Sequence, residues 1–576
     1  MTFANLSRLL PFLNWPRPTL TSLRDDAWAG ISVGLVLIPQ AIAYATLAGM
    51  PPQTGLYAAM LPSIVGILWG SSALLAVGPV ALTSLLVFGS LSSHAEPGSG
   101  EWVVLAIWLA LYSGVIQLLL GIFKLGKISY LVSMPVMTGF INAAAVIIIA
   151  SQLPAFVGIE MHGGLWDTVS GKTAIAWSPL ASLYGVAALA MLLCFKRYLP
   201  RWPGILLVTI GGIAVSALLD YAGDGGSVVG AVPSGLPPLA LPEGITYAEH
   251  LALLPAAVIL ALISFTEAMS SCKVLARKQK QDWNENQELI GQGLAKITSA
   301  FCGAFPVSGS FSRSALNLYA GATSAWATLF SAVCVFLCLL FLTDYLYYLP
   351  RSVLAAMIIV PVFALLDFRA LRRLLSISGD DGVIAIVTFA VTILSTPRLY
   401  WGIAAGVGLT MVAFLYRRTH PRIIEVSRHE DRTLRDRARL AIPPLGSDLV
   451  AVRMDSALNF LTAAQLERFV MERIRGNPDT RRVLLCFGSI NDIDATGAEA
   501  MEGLRQALHA EGIALFVSAP KKQIWDVLSK SGFITALGPE RVFTTDGDAI
   551  ASLVAVTDAE HLSVEKQIRR QAMIFR

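Results

Sequence analysis

Apolar positions come in blocks along the first three quarters of the chain, each bounded by a short polar or Gly/Pro-rich stretch. The blocks lie near residues 27–47, 53–69, 78–91, 102–123, 131–152, 181–195 and 204–219. After a polar interval at 220–249 they resume near 251–274, 289–305, 310–319, 326–342, 353–366, 383–394 and 403–416. A bilayer core about 30 Å thick takes roughly 20 helical residues. The pattern therefore predicts a polytopic α-helical membrane domain of about fourteen crossings, in two halves of about seven.

Charge in the loops orients these segments. Lys124 and Lys127, Lys196, Arg197 and Arg201, Lys273 to Lys280, Arg369 to Arg373, and Arg417 with Arg418 fall in alternate connections, and the intervening ones carry His94, Glu96, Asp220, Glu243 and Glu249. The positive-inside rule then puts both termini in the cytoplasm, with residues 1–24 (Arg8, Arg17, Arg24) as a cytoplasmic lead-in and 25–420 as the membrane domain.

Three blocks are interrupted. Pro39-Gln40 falls in the middle of the first, where a proline removes a ladder hydrogen bond. Gly78-Pro79 reads as the start of a third helix, with proline at its first position. The stretch from Pro306 to Asn317 gathers Ser308, Ser310, Ser312 and Ser314 around Arg313, and Ser310 is a good N-cap for a helix reaching about Tyr319. Gly78-Pro79 and Gly309-Ser310 occupy corresponding places in the two halves. An odd number of spans per half inverts the second, so two helix N-termini would face each other near the midplane. Each favours an anion by roughly 0.3–2 kcal/mol. A serine-rich loop whose arginine reaches a lipid headgroup is the plainer alternative.

Composition agrees. Of 576 residues, 55% are hydrophobic and 14% charged, well below the roughly 25% charged of soluble domains. The net charge of +4 is dispersed, so no nucleic-acid partner is expected. The six cysteines lack metal-ligand spacing; no metal, cofactor, nucleophile–base pair or phosphate loop is indicated, which argues against an enzyme. No cleavable signal is convincing.

After Arg418 the pattern changes. Residues 421–440 are charged and read as a linker. Alternating strand and helix signals at 449–453, 463–474, 483–487, 497–510, 514–517 and 522–528 predict a small α/β domain over 441–560, followed by a helical tail at 561–576.

Three stretches together resemble the sulfate permease family of anion transporters, known in animals as solute carrier family 26. They are Gly34-Leu35-Val36-Leu37-Ile38-Pro39-Gln40-Ala41-Ile42-Ala43-Tyr44-Ala45 with Thr54-Gly55-Leu56-Tyr57, then Val77-Gly78-Pro79-Val80-Ala81-Leu82, then Gly309-Ser310-Phe311-Ser312-Arg313-Ser314. The C-terminal domain resembles the STAS domain of such transporters. The resemblance implies an anion held between the third and tenth helices by Gln40, Tyr44, Val80, Ala81, Ser310, Phe311, Ser312 and Arg313. Tyr44 suits packing as well as binding. Glu267 resembles the acid of proton-coupled members, and Glu267 paired permanently with Arg313 is the structural alternative. Burial and Arg313 act on its proton in opposite senses.

The expectation is a proton-coupled secondary transporter of sulfate or a similar anion, dimeric, in a cell (inner) membrane. A bicarbonate, chloride or dicarboxylate exchanger is one alternative, and a membrane sensor signalling through the STAS domain to a cytoplasmic regulator is another. Two departures stand out. Lys296, within the ninth span, stands where members of that family often have a small or amide residue; it is expected to snorkel to the cytoplasmic face, the alternative being that it adds charge near the anion's path. The stretch Asn491 to Gly497 resembles the loop that carries a phosphorylated serine in anti-sigma-factor antagonists, but with Ala495 at that position, so switching by that route is not expected, and Thr496 is expected to cap the next helix.

Overall fold

A computed structural model describes residues 10–15, 18–160, 176–199, 202–280, 282–430 and 433–554. The expected tail at 561–576, Arg8, Arg17 and Arg201 lie outside the described residues. The chain divides into two compact units, Met1–Thr410 and Met411–Arg576.

The apolar blocks of the first unit are helices: α1 (Leu20–Leu47), α2 (Pro52–Trp69), α3 (Ala81–Leu91), α4 (Gly100–Ile122), α5 (Met134–Val157), α6 (Pro179–Tyr198), α7 (Gly204–Leu218), α8 (Tyr247–Gln279), α9 (Glu285–Phe301), α10 (Phe311–Tyr319), α11 (Trp326–Phe341), α12 (Arg351–Phe363), α13 (Gly379–Leu394) and α14 (Tyr400–Thr419), the last running across the boundary of the units. Among the described residues, six helices are long and apolar enough to cross a membrane. α3 and α10 are short because each is preceded by a strand, β1 (Ala76–Gly78) and β2 (Ser308–Ser310), which pair antiparallel with Val77 opposite Gly309. In a membrane interior this short ladder satisfies backbone groups that broken helices would otherwise leave unpaired.

Two expectations about helix breaks are corrected. α1 continues through Pro39, with both Pro39 and Gln40 buried. The helix expected at Pro79 begins at Ala81, because Ala76 to Gly78 are used in the ladder. Ser310 caps α10 as expected, its hydroxyl accepting from the Arg313 N–H at 3.4 Å.

The first unit packs as two groups of helices. α1 lies on α2 and α11, and α9 lies on α2 and α4, with α8 on α4. In the second group α5 packs on α12 and α13, and α6 on α7 and α12; the groups meet where α1 touches α7 and α12. Small residues set the closest approaches: a Cβ on Gly55 of α2 would come within 2.0 Å of the Ala41 carbonyl of α1. Two buried carboxylates fix loops to the first group. Asp26 at the start of α1 accepts from the Thr323 and Ser324 N–H groups at 2.6 and 3.1 Å. Glu288 at the start of α9 accepts from those of Ser71 and Ser72 at 2.9 and 3.0 Å.

The second unit holds a six-stranded sheet of β3 (Ile423–Arg428), β4 (Leu434–Asp436), β5 (Leu449–Met454), β6 (Arg482–Cys486), β7 (Ala514–Ser518) and β8 (Val542–Phe543), in the order β8-β7-β6-β5-β3-β4. β5 to β8 are parallel, and β3 joins β5 antiparallel. The supposed linker at 421–440 is thus part of the sheet: Ile424 and Val426 turn into a core, and Glu425 pairs with Arg437 at 2.6 Å. Helices α15 (Ala463–Arg475), α16 (Ala495–Ala510) and α17 (Lys522–Lys530) bury an apolar stripe against one face, and α18 (Asp546–Val554) covers the other. Thr496 does not cap α16. Asp494 does, accepting from the Gly497 N–H at 2.7 Å, because the helix begins two residues earlier than the sequence suggests.

Candidate functional site

The β1–β2 ladder fixes the geometry of the candidate site. Its antiparallel register runs the two strands past each other, so α3 and α10 leave opposite ends of the ladder, each with its N-terminus at the ladder. Val80 precedes α3 without a side-chain cap, so the first N–H groups of that helix stay available to a guest. A cavity of about 360 Å³ opens there, lined by Tyr44 of α1, Val80, Ala81 and Leu82 of α3, Glu267 of α8, and Ser310, Phe311 and Ser312 of α10. Ile141, Ala144, Ala145 and Ile148 of α5, with Pro361 and Val362 of α12, close the far side. The cavity therefore lies between the two helix groups.

Seven of the nine site residues expected from the sequence meet at this cavity. Gln40 and Arg313 do not line it. Gln40 is buried one turn from Tyr44, and its Oε1 has no hydrogen-bond partner. Arg313 is 2% exposed and turns behind the ladder, where Nη1 donates to the Pro79 carbonyl at 2.9 Å. Its Nε and Nη2 have no partner and face a small void with Ser63, Asn317, Thr328 and Ser331. Arg313 thus places a positive charge next to the ladder rather than a hydrogen bond on a guest. No ion pair joins it to Glu267 among the described residues, and Glu267 Oε2 has no partner. The permanent Glu267–Arg313 pair is not what the structure contains.

The serines divide their work. Ser310 and Ser312 bring their hydroxyls within 3.3 Å of each other at the cavity wall. Ser308 donates to the Ser264 carbonyl of α8 at 2.9 Å, and Ser314 accepts from the Ala76 N–H at 2.9 Å, so both lock the ladder in place. Ser63 of α2, which the sequence did not single out, donates to the Val77 carbonyl at 2.7 Å. Its signal was a hydroxyl in an otherwise apolar span.

Lys296 is a correction. It does not snorkel but is completely buried, donating to Gln117 Oε1 of α4 at 2.9 Å and to Ser264 Oγ of α8. Gln117 in turn donates to the Ala261 carbonyl at 2.7 Å and to Ser264 Oγ at 3.1 Å. The lysine sits on the face of α9 that packs on α4, so its stem points inward rather than along a lipid surface.

Comparison with known proteins gives concordant results. The sulfate permease family model matches residues 23–388, and the STAS domain model matches 444–549. A probable sulfate transporter 4.2 of Arabidopsis thaliana is 30% identical over 583 residues, covering 95% of this chain and 84% of the relative. A probable sulfate transporter of Mycobacterium tuberculosis is 28% identical over 535 residues, covering 91% and 94%. The structure of the murine solute carrier 26 family member A9 anion transporter in the inward-facing state superposes with a TM-score of 0.85 at 21% identity, covering 96% of this chain and 95% of that one.

Proposed function

This chain belongs to the sulfate permease family, and from that premise we propose that it is a proton-coupled secondary transporter that takes up sulfate. The single observation that carries the reading is the antiparallel β1–β2 pair, which aims two helix N-termini at one cavity together with one carboxylate, Glu267. Helix ends and the Ser310 and Ser312 hydroxyls replace the water that a tetrahedral oxyanion gives up, and Arg313 holds the local potential positive. Neutral donors suit a guest that must also leave, since a direct guanidinium fork would hold it too firmly.

Glu267 borders the same cavity and supplies the coupling. An anion that enters near Arg313 offsets the positive potential at Glu267 and thereby promotes proton uptake there. Anion and proton then cross together. The cavity lies between the two groups of helices, so a shift of the group carrying α1, α3, α8 and α10 against the one carrying α5, α6, α7 and α12 exposes it alternately to each side. On this reading the chain crosses a cell (inner) membrane fourteen times, in two inverted repeats, with both termini cytoplasmic and two copies associating. The second unit, the STAS domain, meets a cytoplasmic regulator. The inversion is supported by the antiparallel sense of β1 and β2, one from each half.

Purified protein in liposomes tests the proposal. An inward proton gradient is expected to drive accumulation of labelled sulfate above equilibrium. Uptake that is indifferent to the gradient, or confined to bicarbonate, chloride or dicarboxylates, contradicts it.

A further inference from the structure

Lys296 is a buried amine that the transport reading does not use. A lysine ammonium carries three donors, and this one meets two neutral acceptors, Gln117 Oε1 and Ser264 Oγ. The charged groups around it are few. Glu267 lies on α8 one turn beyond Ser264, and Arg313 lies on α10. Glu288, two turns back on α9, is occupied by Ser71, Ser72 and Gln292. α2 and α4 bring no charged side chain to it. Lys296 reaches the Ser264 side chain, one turn before Glu267 on α8, so the amine and the carboxyl adjoin the same stretch of that helix. A buried charge without a compensating partner is costly.

Charge counting shows what is missing. With Lys296 protonated, the three groups sum to one excess positive charge when Glu267 is ionised and to two when it is protonated. Hydration holds an ion in proportion to the square of its charge, whereas attraction to fixed cations grows only linearly. Each fixed positive charge therefore favours a dianion over a monoanion, and the dianion, with more hydration to replace, needs more of it beside the neutral donors.

We infer that Lys296 is the second countercharge that lets the cavity select a divalent oxyanion over a monovalent one. It acts through its field across Ser264, whose carbonyl holds Ser308 of the ladder. The inference rests on the transport reading above and deepens it by assigning the substrate's valence to a residue. One proton on Glu267 then accompanies each dianion, and the occupied site is neutral.

The test is the ratio of sulfate to chloride uptake in liposomes for wild type, Lys296→Met, Lys296→Arg and Gln117→Glu. Gln117→Glu is nearly isosteric and sets a carboxylate against the amine, cancelling its charge while keeping the contact. The ratio is expected to fall at least about tenfold in Lys296→Met and in Gln117→Glu, and to be largely kept in Lys296→Arg. A folded Gln117→Glu protein with an unchanged ratio, or with both anions lost alike, overturns the inference even if Lys296→Met fails to fold. Wild-type protein that carries no sulfate overturns the transport proposal instead, so the two failures are distinguishable.

Discussion

Arg313 contributes charge without contact. Its Nη1 is spent on the Pro79 carbonyl, and the guest side of the ladder offers hydroxyls and helix N–H groups. Arg313→Ala is expected to lower sulfate affinity by at least about tenfold, or about 1.4 kcal/mol, with calorimetry as the measurement. The protein should stay folded, because one orphaned carbonyl costs about 1–3 kcal/mol. Unchanged affinity would remove Arg313 from the site. A lone cation in a serine-rich break between apolar blocks is what singles out Arg313 in the sequence. Which way its side chain turns could not be read there, since Ser312 and Ser314 flank it on the same turn and either flank suits a guest. Lys296 failed for the same reason: whether a lysine in an apolar block meets lipid or protein depends on the partner helix, and Gln117 is distant in sequence.

At the scale of elements, the ladder is what makes two short helices into one site. Gly78 adopts φ +154, and a Cβ there would lie 3.3 Å from Arg313 Nη2. A Cβ on Gly309 would come within 2.9 Å of both Ala268 and Leu75. Gly309→Val is therefore expected to displace β2, at a cost of about 1–3 kcal/mol or more, and to weaken anion binding with it. Thermal unfolding alongside binding measures this, and a variant with wild-type values in both would contradict the role given to the ladder. The sequence signalled α10 precisely where local chemistry decides, at the Ser310 cap. It misplaced the start of α3 because a three-residue strand depends on a partner more than two hundred residues away. The stretch at 421–440 misled similarly: its charges suggest a linker, yet alternate apolar residues and the Glu425–Arg437 pair fold it into the sheet.

At the scale of the whole molecule, the second unit has its own core and its own electrostatics. Arg482 binds Asp448 through two 2.8 Å contacts, which hold the Asp448 carboxyl below its ordinary value of 3.8. The stabilisation is present above about pH 4 and is lost as pH falls through the lower folded-state value. Urea unfolding of this unit between pH 6 and 3 should show that loss, and Arg482→Met should flatten it while costing about 1 kcal/mol near neutrality. Removing the chain after Ile423 is expected to leave a membrane unit that still moves anion, because that unit contains the whole cavity. A folded truncation that moves none would assign the STAS domain to the transport machinery. The central claim, that proton and anion share one cavity through Glu267, is tested most directly by Glu267→Gln, which imitates the protonated state permanently. Counterflow of sulfate and accumulation driven by a proton gradient should be measured together, in wild type and mutant. The account predicts that Glu267→Gln keeps counterflow and loses gradient-driven accumulation; accumulation that persists in the mutant would contradict it.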